Sequence, residues 1–218
     1  MSRKLKSLCL AFIAVVAMSA MGASAAEATP EFTCSSYPCT ATGTTVLGNS
    51  TITTPGGSIT CDTHYKVEKY NAPTEDITGP TSTVTVTVTT TGCTAFGFLS
   101  ATVNMNGCDY VWHATERLGA GHYVHHVDIA CDVSKAITIT AATCEATISA
   151  QSGLTDITTL NLANGTLTAV PTVSEMTMKV TKDGFGCPFA GTGHVKASYH
   201  GHVILARVGG GTFSVSGS

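Results

Sequence analysis

Histidine is the side chain most often recruited for metal binding and for proton transfer near neutral pH. This chain places three of its eight within five positions, His122, His125 and His126, in the stretch HYVHHVDIAC. A metal ion needs several ligand nitrogens within about 2.1 Å of one point. On a strand rising roughly 3.3 Å per residue, His122 and His126 start about 13 Å apart, too far to share an ion. His113 reaches one of them diagonally across a hairpin, which makes a two-ligand site. His200 and His202, in YHGHV, fall at i and i+2 on one strand face, with Gly201 between them marking a bulge. These five, His113, His122, His126, His200 and His202, are the candidate metal ligands. His64 and His194 find no place by spacing. His125 points the other way, and is read as a partly buried imidazole satisfied by a backbone carbonyl.

Other chemistries leave weaker traces. No Gly-x-Ser-x-Gly elbow presents a nucleophile, so no catalytic residue is assigned. The carboxylates Asp109, Asp128, Glu145 and Asp156 are scattered. Asp109 and Asp128 are expected across from each other on a hairpin, where like charges repel weakly. No loop carries the acidic ladder of a calcium motif, and the glycine-rich segments GGGT and GTGH do not join a strand to a helix as a phosphate cradle requires. No cofactor is expected.

The first residues set the compartment. Arg3, Lys4 and Lys6 precede an apolar run from Leu8 to Met18 and a small-residue stretch ending in Ala-Ser-Ala at 23 to 25. That pattern is a secretory signal peptide, residues 1–25, cut near Ala25, leaving one domain over residues 26–218. The apolar run is too short for a membrane anchor, and no later segment reaches about 18 apolar residues, so no membrane span is expected in the mature chain. Without the three leader cations, 8 Lys and Arg face 14 Asp and Glu, a formal net charge of −6. With no basic patch to neutralise phosphates, nucleic acid is excluded as a partner.

Past the leader's Cys9 lie eight cysteines: Cys34, Cys39, Cys61, Cys93, Cys108, Cys131, Cys144 and Cys187. An even number in an exported chain, with no Cys-x-x-Cys, reads as up to four structural disulfides. Spacing alone nominates one pair, Cys34 with Cys39, around Tyr37-Pro38.

The elements that must position these groups are strands. In TVTVTVTTT, 83 to 91, Val84, Val86 and Val88 alternate with threonines, the period of a half-buried antiparallel strand. Similar runs recur at 50–54, 100–105, 109–114, 122–130, 136–142, 145–150, 176–180 and 201–208, punctuated by glycine about every ten residues. The Asn164-Gly165 pair predicts a two-residue turn that sets Leu162 opposite Leu167 and Leu160 opposite Ala169. A four-residue loop at RLGA, 117 to 120, sets Trp112 opposite His125 and Tyr110 opposite Val127 on a core face, and leaves His113, His122 and His126 on the wetter one. Trp112, the sole tryptophan, is read as the core anchor. Residues 26 to about 31 and the tail GGGTFSVSGS are expected to be disordered, with 212–215 able to add an edge strand. Asn49 and Asn164 match the glycosylation tripeptide.

NGCDYVW, the IAC at 129–131, AITITAATCEATISAQSGL and GCPFAGTGHVKASYHGHV together resemble a group of exported, cysteine-bearing, β-rich bacterial proteins of no known activity. The likeness covers residues 60 to 206 and implies a secreted β domain, with no functional residues to carry over. The expectation is a single antiparallel β-sandwich with disulfides, acting at the cell surface by contact with carbohydrate or protein rather than by catalysis. The alternatives are a secreted hydrolase and a histidine-based metal-binding exported protein.

Overall fold

The computed structural model describes residues 28–45, 50–72, 74–184, 187, 189 and 192–217, without the side chains of 155 and 156. The leader, Asn49 and the Asp156 carboxylate lie outside the described residues. The fold is all-β. In β5 (Thr83–Ala95), Val84, Val86 and Val88 are buried, and their threonine neighbours form the opposite face. The alternation seen in the sequence is thus a true division between core and outside.

Three long strands organise the sheet: β4 (Gly57–Lys69), β5 and β12 (Leu167–Lys182). Each changes neighbours partway along. β4 pairs with β5 on one side, and with β2 (Ala41–Thr45) and then β3 (Ser50–Thr54) on the other. β5 also pairs with β6 (Leu99–Asn104) and β7 (Cys108–Gly119). β12 is flanked on one side by β11 (Gln151–Asn161) and β10 (Cys144–Ile148), and on the other by β14 (Val203–Arg207) and β13 (Gly193–His200). With β8 (His122–Cys131) and β9 (Ile137–Ala141), the pairings run round in two closed cycles. One is β2-β4-β5-β7-β8-β11-β12-β14 and the other β3-β4-β5-β6-β9-β10-β12-β13. The result is an antiparallel sandwich whose layers are hydrogen-bonded to each other at their margins, which spares these strands an open edge.

A separate ribbon of β1 (Glu31–Cys34) and β15 (Phe213–Ser216) adds Phe32, Phe213 and Val215 to the core, all essentially unexposed. The tail up to residue 217 is therefore structured, with a strand where 212–215 was expected to be able to add one, and not disordered as its glycine-rich sequence otherwise suggested. Asn161 holds it in place: its side-chain amide donates to the Val215 carbonyl (2.6 Å) and accepts from the Val215 amide (2.9 Å).

Four disulfides join Cys34 to Cys39, Cys61 to Cys93, Cys108 to Cys131 and Cys144 to Cys187. Cys108 and Cys131 sit directly opposite in the β7–β8 ladder, with Cα atoms 4.1 Å apart, the close spacing of a non-hydrogen-bonded pair.

Two hairpin registers depart from expectation. In β7–β8, Trp112 faces Val127 and Tyr110 faces Ile129, because the chain turns at Ala120-Gly121 rather than over the four residues 117 to 120, which moves the register by four, and two bulges near the tip take back two. A shift of two preserves the face, so Trp112 and His125 remain in the core. In β11–β12, Leu160 pairs with Thr168 and Asn161 with Leu167, a slip of one. Gly165 alone takes a positive φ (82°), whereas the two-residue turn needs it at both positions. Its N–H bonds to the Leu162 carbonyl and Asn164 Oδ1 accepts from the Thr166 amide, which makes a longer loop with a glycine bulge. A slip of one turns the strand over: Thr159 is buried where Leu160 was expected.

Candidate functional site

The outward face of β4, β5, β7 and β8 gathers most of the residues with chemistry to offer. Register fixes its rows. His64 lies beside Thr89; Lys66 is beside Thr87; Glu68 is followed by Thr85, Val111 and Asp128; and Thr83 is followed by His113 and His126. The threonines of TVTVTVT are the spine of this face, because the valines that alternate with them are committed to the core.

Two adjoining depressions cross the spine. The larger, about 530 Å³, is walled by Thr42, Thr44, His64, Lys66, Thr87 and Thr89. The smaller, about 250 Å³, has Asn71, Thr85, Asp109, Val111 and Asp132 in its wall. Asn71 belongs to the turn after β4, and the neighbouring Tyr70 ring meets His113 edge-on at 6.4 Å. That turn, folded back over the sheet, accounts for the burial of Thr85 and Val111 on an outward face.

A carboxylate pair, Glu68 and Asp109, stands on this face, with Asp109 in the wall of the smaller depression. Glu68 is only 2% exposed. Lys66 Nζ lies 2.6 Å from one of its oxygens, and the Thr87 hydroxyl donates to the other at 3.3 Å. A buried carboxylate is tolerable only when paired and hydrogen-bonded in this way. Asp109 lies next along the row. Burial raises its carboxyl above the usual range; its bond to Thr87 opposes the rise, and the charges of Glu68 and Asp132 add to it.

One row further, Thr83 Oγ1 lies 3.3 Å from His113 Nδ1, and His113 Nε2 lies 3.2 Å from Asp128 Oδ2. Hydroxyl, imidazole and carboxylate stand in the order of an activated nucleophile. Yet none of the three lines either depression, and Asp128 Oδ1 is held by the Gly153 amide at 2.7 Å. The row is read as a cross-strand ladder that ties β5, β7 and β8 to the start of β11. Asp109 and Asp128 do not face each other, since Asp109 pairs with Ala130 and Asp128 with Val111.

The remaining histidines are dispersed. His122 opens β8 opposite Gly119, and His126 is exposed directly across from His113. His200 ends β13, with Nδ1 3.3 Å from the Thr172 hydroxyl, and His202 lies past Gly201 in the corner before β14. The two therefore do not share a strand face as expected. Among the described residues, no three His, Cys, Asp or Glu side chains converge closely enough to hold a metal ion. His125 is fully buried, and its partner is the Thr159 hydroxyl rather than a backbone carbonyl.

Sequence reasoning passed over Lys66 and Glu68, left His64 unplaced, and read the threonines as an exposed face without seeing what stands beside them. Their signal was present, as the alternation in DTHYKVEK, but nothing in one strand tells what its neighbour places beside it. It also passed over Phe96 and Phe98 at the β5–β6 tip, where the rings stack at 6.3 Å and Phe98 is 80% exposed.

Fold and face together define a disulfide-bonded, all-β sandwich with a groove on one sheet whose wall carries threonine hydroxyls. Compared with protein-family models, with curated proteins and with solved structures, the chain matches none. Four disulfides fit an oxidising, extracytoplasmic setting, and among the described residues no helix is long and apolar enough to cross a membrane.

Proposed function

We propose that the protein is exported through its N-terminal leader and binds carbohydrate of the cell envelope in the groove across the β4–β5–β7 face, without acting on it chemically. The observation that supports this reading is the composition of the groove wall. The exposed Thr42, Thr44 and Thr89 supply hydroxyls that both donate and accept, as sugar hydroxyls do; Thr87, whose proton goes to Glu68, adds an acceptor, and so do Asp109 and Asn71 at one end. A neutral glycan suits this surface better than a polyanion does, because the mature chain is net negative. Pairing fixes the wall in a rigid sheet, so little ordering entropy is lost on binding.

The test is retention on insoluble glycans, peptidoglycan, chitin and cellulose among them, followed by calorimetry with soluble fragments of whichever polymer retains the protein. Replacing both Thr87 and Thr89 by valine removes two hydroxyls from the wall at nearly constant volume. With each hydrogen bond contributing about 1 kcal/mol, affinity should fall roughly ten- to thirtyfold. Absence of retention on every polymer, or equal retention of the double variant, overturns the reading.

A further inference from the structure

The interior of the sandwich carries a second feature, independent of the groove. Between the layers the side chains leave a cavity with about 40 Å³ of room for the centres of water-sized molecules. Once the ~1.4 Å radius of water is added, a compact void of that size has a radius of about 3.5 Å, close to the half-width of one benzene ring.

Its wall is of two kinds. Val88, Ile129 and Leu154 represent an apolar majority. On β4 and β3 stand hydroxyls. Thr63 is buried, and its Oγ1 has no hydrogen-bond partner. Beside it, Ser50 Oγ lies 3.2 Å from Tyr65 Oη, which is bonded in turn to Tyr199 Oη. Burial raises the pKa of both phenols above its ordinary value, so they stay neutral at physiological pH.

A buried hydroxyl without a partner is rare in native proteins and calls for an explanation. A buried water makes two to four hydrogen bonds. Here only Thr63 Oγ1 is orphaned, since the Ser50, Thr90 and Tyr199 hydroxyls of the wall are already bonded elsewhere, and the rest of the wall is largely apolar. A molecule with an apolar ring and a single polar group satisfies both parts of the wall at once.

We propose that this cavity is a binding site for a small monocyclic molecule carrying one hydrogen-bonding group, of the phenol class, with that group on Thr63 Oγ1 and the ring against Val88, Ile129 and Leu154.

The test is titration of the full, disulfide-bonded protein with phenol and with toluene, followed by amide chemical shifts. Saturable shifts centred on residues 63, 88, 129 and 154 are expected with both probes, with phenol binding several-fold more tightly. In Thr63→Val, nearly isosteric, that preference should shrink to within twofold while toluene binding is unchanged. Val88→Phe, which fills the void, should abolish both. Should the larger side chain disturb the fold, the phenol-to-toluene ratio in Thr63→Val decides alone. Shifts that do not saturate, shifts away from these positions, or a preference for phenol that survives in Thr63→Val overturn the proposal.

Discussion

His125 Nε2 and Thr159 Oγ1 lie 2.7 Å apart, with both side chains buried between the layers. The contact explains the slipped register of β11–β12. Had the turn closed on two residues, Leu160 would point inward and the imidazole would lose its partner. Phe32 stacks on the ring at 5.1 Å and Trp112 lies 6.4 Å away, so aromatic rings surround the imidazole and Nδ1 goes unpaired. A neutral imidazole has one N–H. Placed on Nε2, it donates to Thr159 and leaves only a lone pair unsatisfied, the less costly tautomer.

That environment makes stability fall in acid. Burial depresses the His125 pKa to about 3, against an ordinary value near 6.5. The unfolded chain therefore binds a proton that the native state refuses. Stability is at its full value above pH ~6.5, declines as pH falls through that value, and keeps declining until the pH reaches the folded pKa. At pH 4 the loss from this group is about 3 kcal/mol. Urea midpoints at pH 7, 5.5 and 4 check it, because His125→Phe should remove one proton's worth of that slope. An unchanged slope in the variant would exclude His125 as its source.

How much of this was legible in the sequence follows from which forces are local. Alternation is local, so β3, β8 and β9 emerge within a residue of their boundaries. Faces were legible too, since Trp112 and Val88 turn inward as their pattern requires. Register was not, because it depends on bulges at the hairpin tips and on distant partners such as His125. β13 was hidden by its mixed sequence, and the pairing of β15 with β1 by their wide separation along the chain, although 212–215 could be seen as an edge strand. The groove was invisible because Lys66, Thr87 and Asp109 come from three strands and meet only through the ladder.

Gln151 should act as a substitute strand. β10 leaves β12 after Thr147, and β11 joins it only at Ile157. In the gap, the Gln151 amide donates to the Thr177 carbonyl and accepts from the Thr177 amide, both at 2.8 Å. Gln151→Ala should cost about 2 kcal/mol, roughly 1 for each bond lost. The Thr177 amide should also exchange with solvent faster, while the β4–β5 amides keep their protection. Equal exchange at Thr177 in both proteins would mean that the clamp does not hold the seam.

Disulfide removal should rank by loop length. Cross-linking restricts the unfolded chain more as the closed loop grows. Cys144 and Cys187 are 43 residues apart, Cys34 and Cys39 only 5. In the chain-entropy account, replacing the first pair by serines costs about 4 kcal/mol and the second about 2 kcal/mol. Chemical denaturation of the two double variants tests the order. A reversal would show that native packing around the short loop outweighs chain entropy.

Asp109 should make the groove less stable at neutral pH than in mild acid. Its folded-state pKa is raised, by burial first and by the charges of Glu68 and Asp132, so the native state holds its proton more tightly than the unfolded chain does. The favourable contribution is fully present below the unfolded value, near 3.9, and is lost as pH rises through the folded one. Asp109→Asn, which keeps the shape and carries no charge, should therefore raise the melting temperature at pH 7 and lose that advantage towards pH 3.5. The side chain is partly exposed, so solvent screens the effect and the rise should be small. If Asp109→Asn instead lowers the melting temperature at pH 7, the ionised carboxylate contributes more through its bond to Thr87 than it loses to its acidic neighbours.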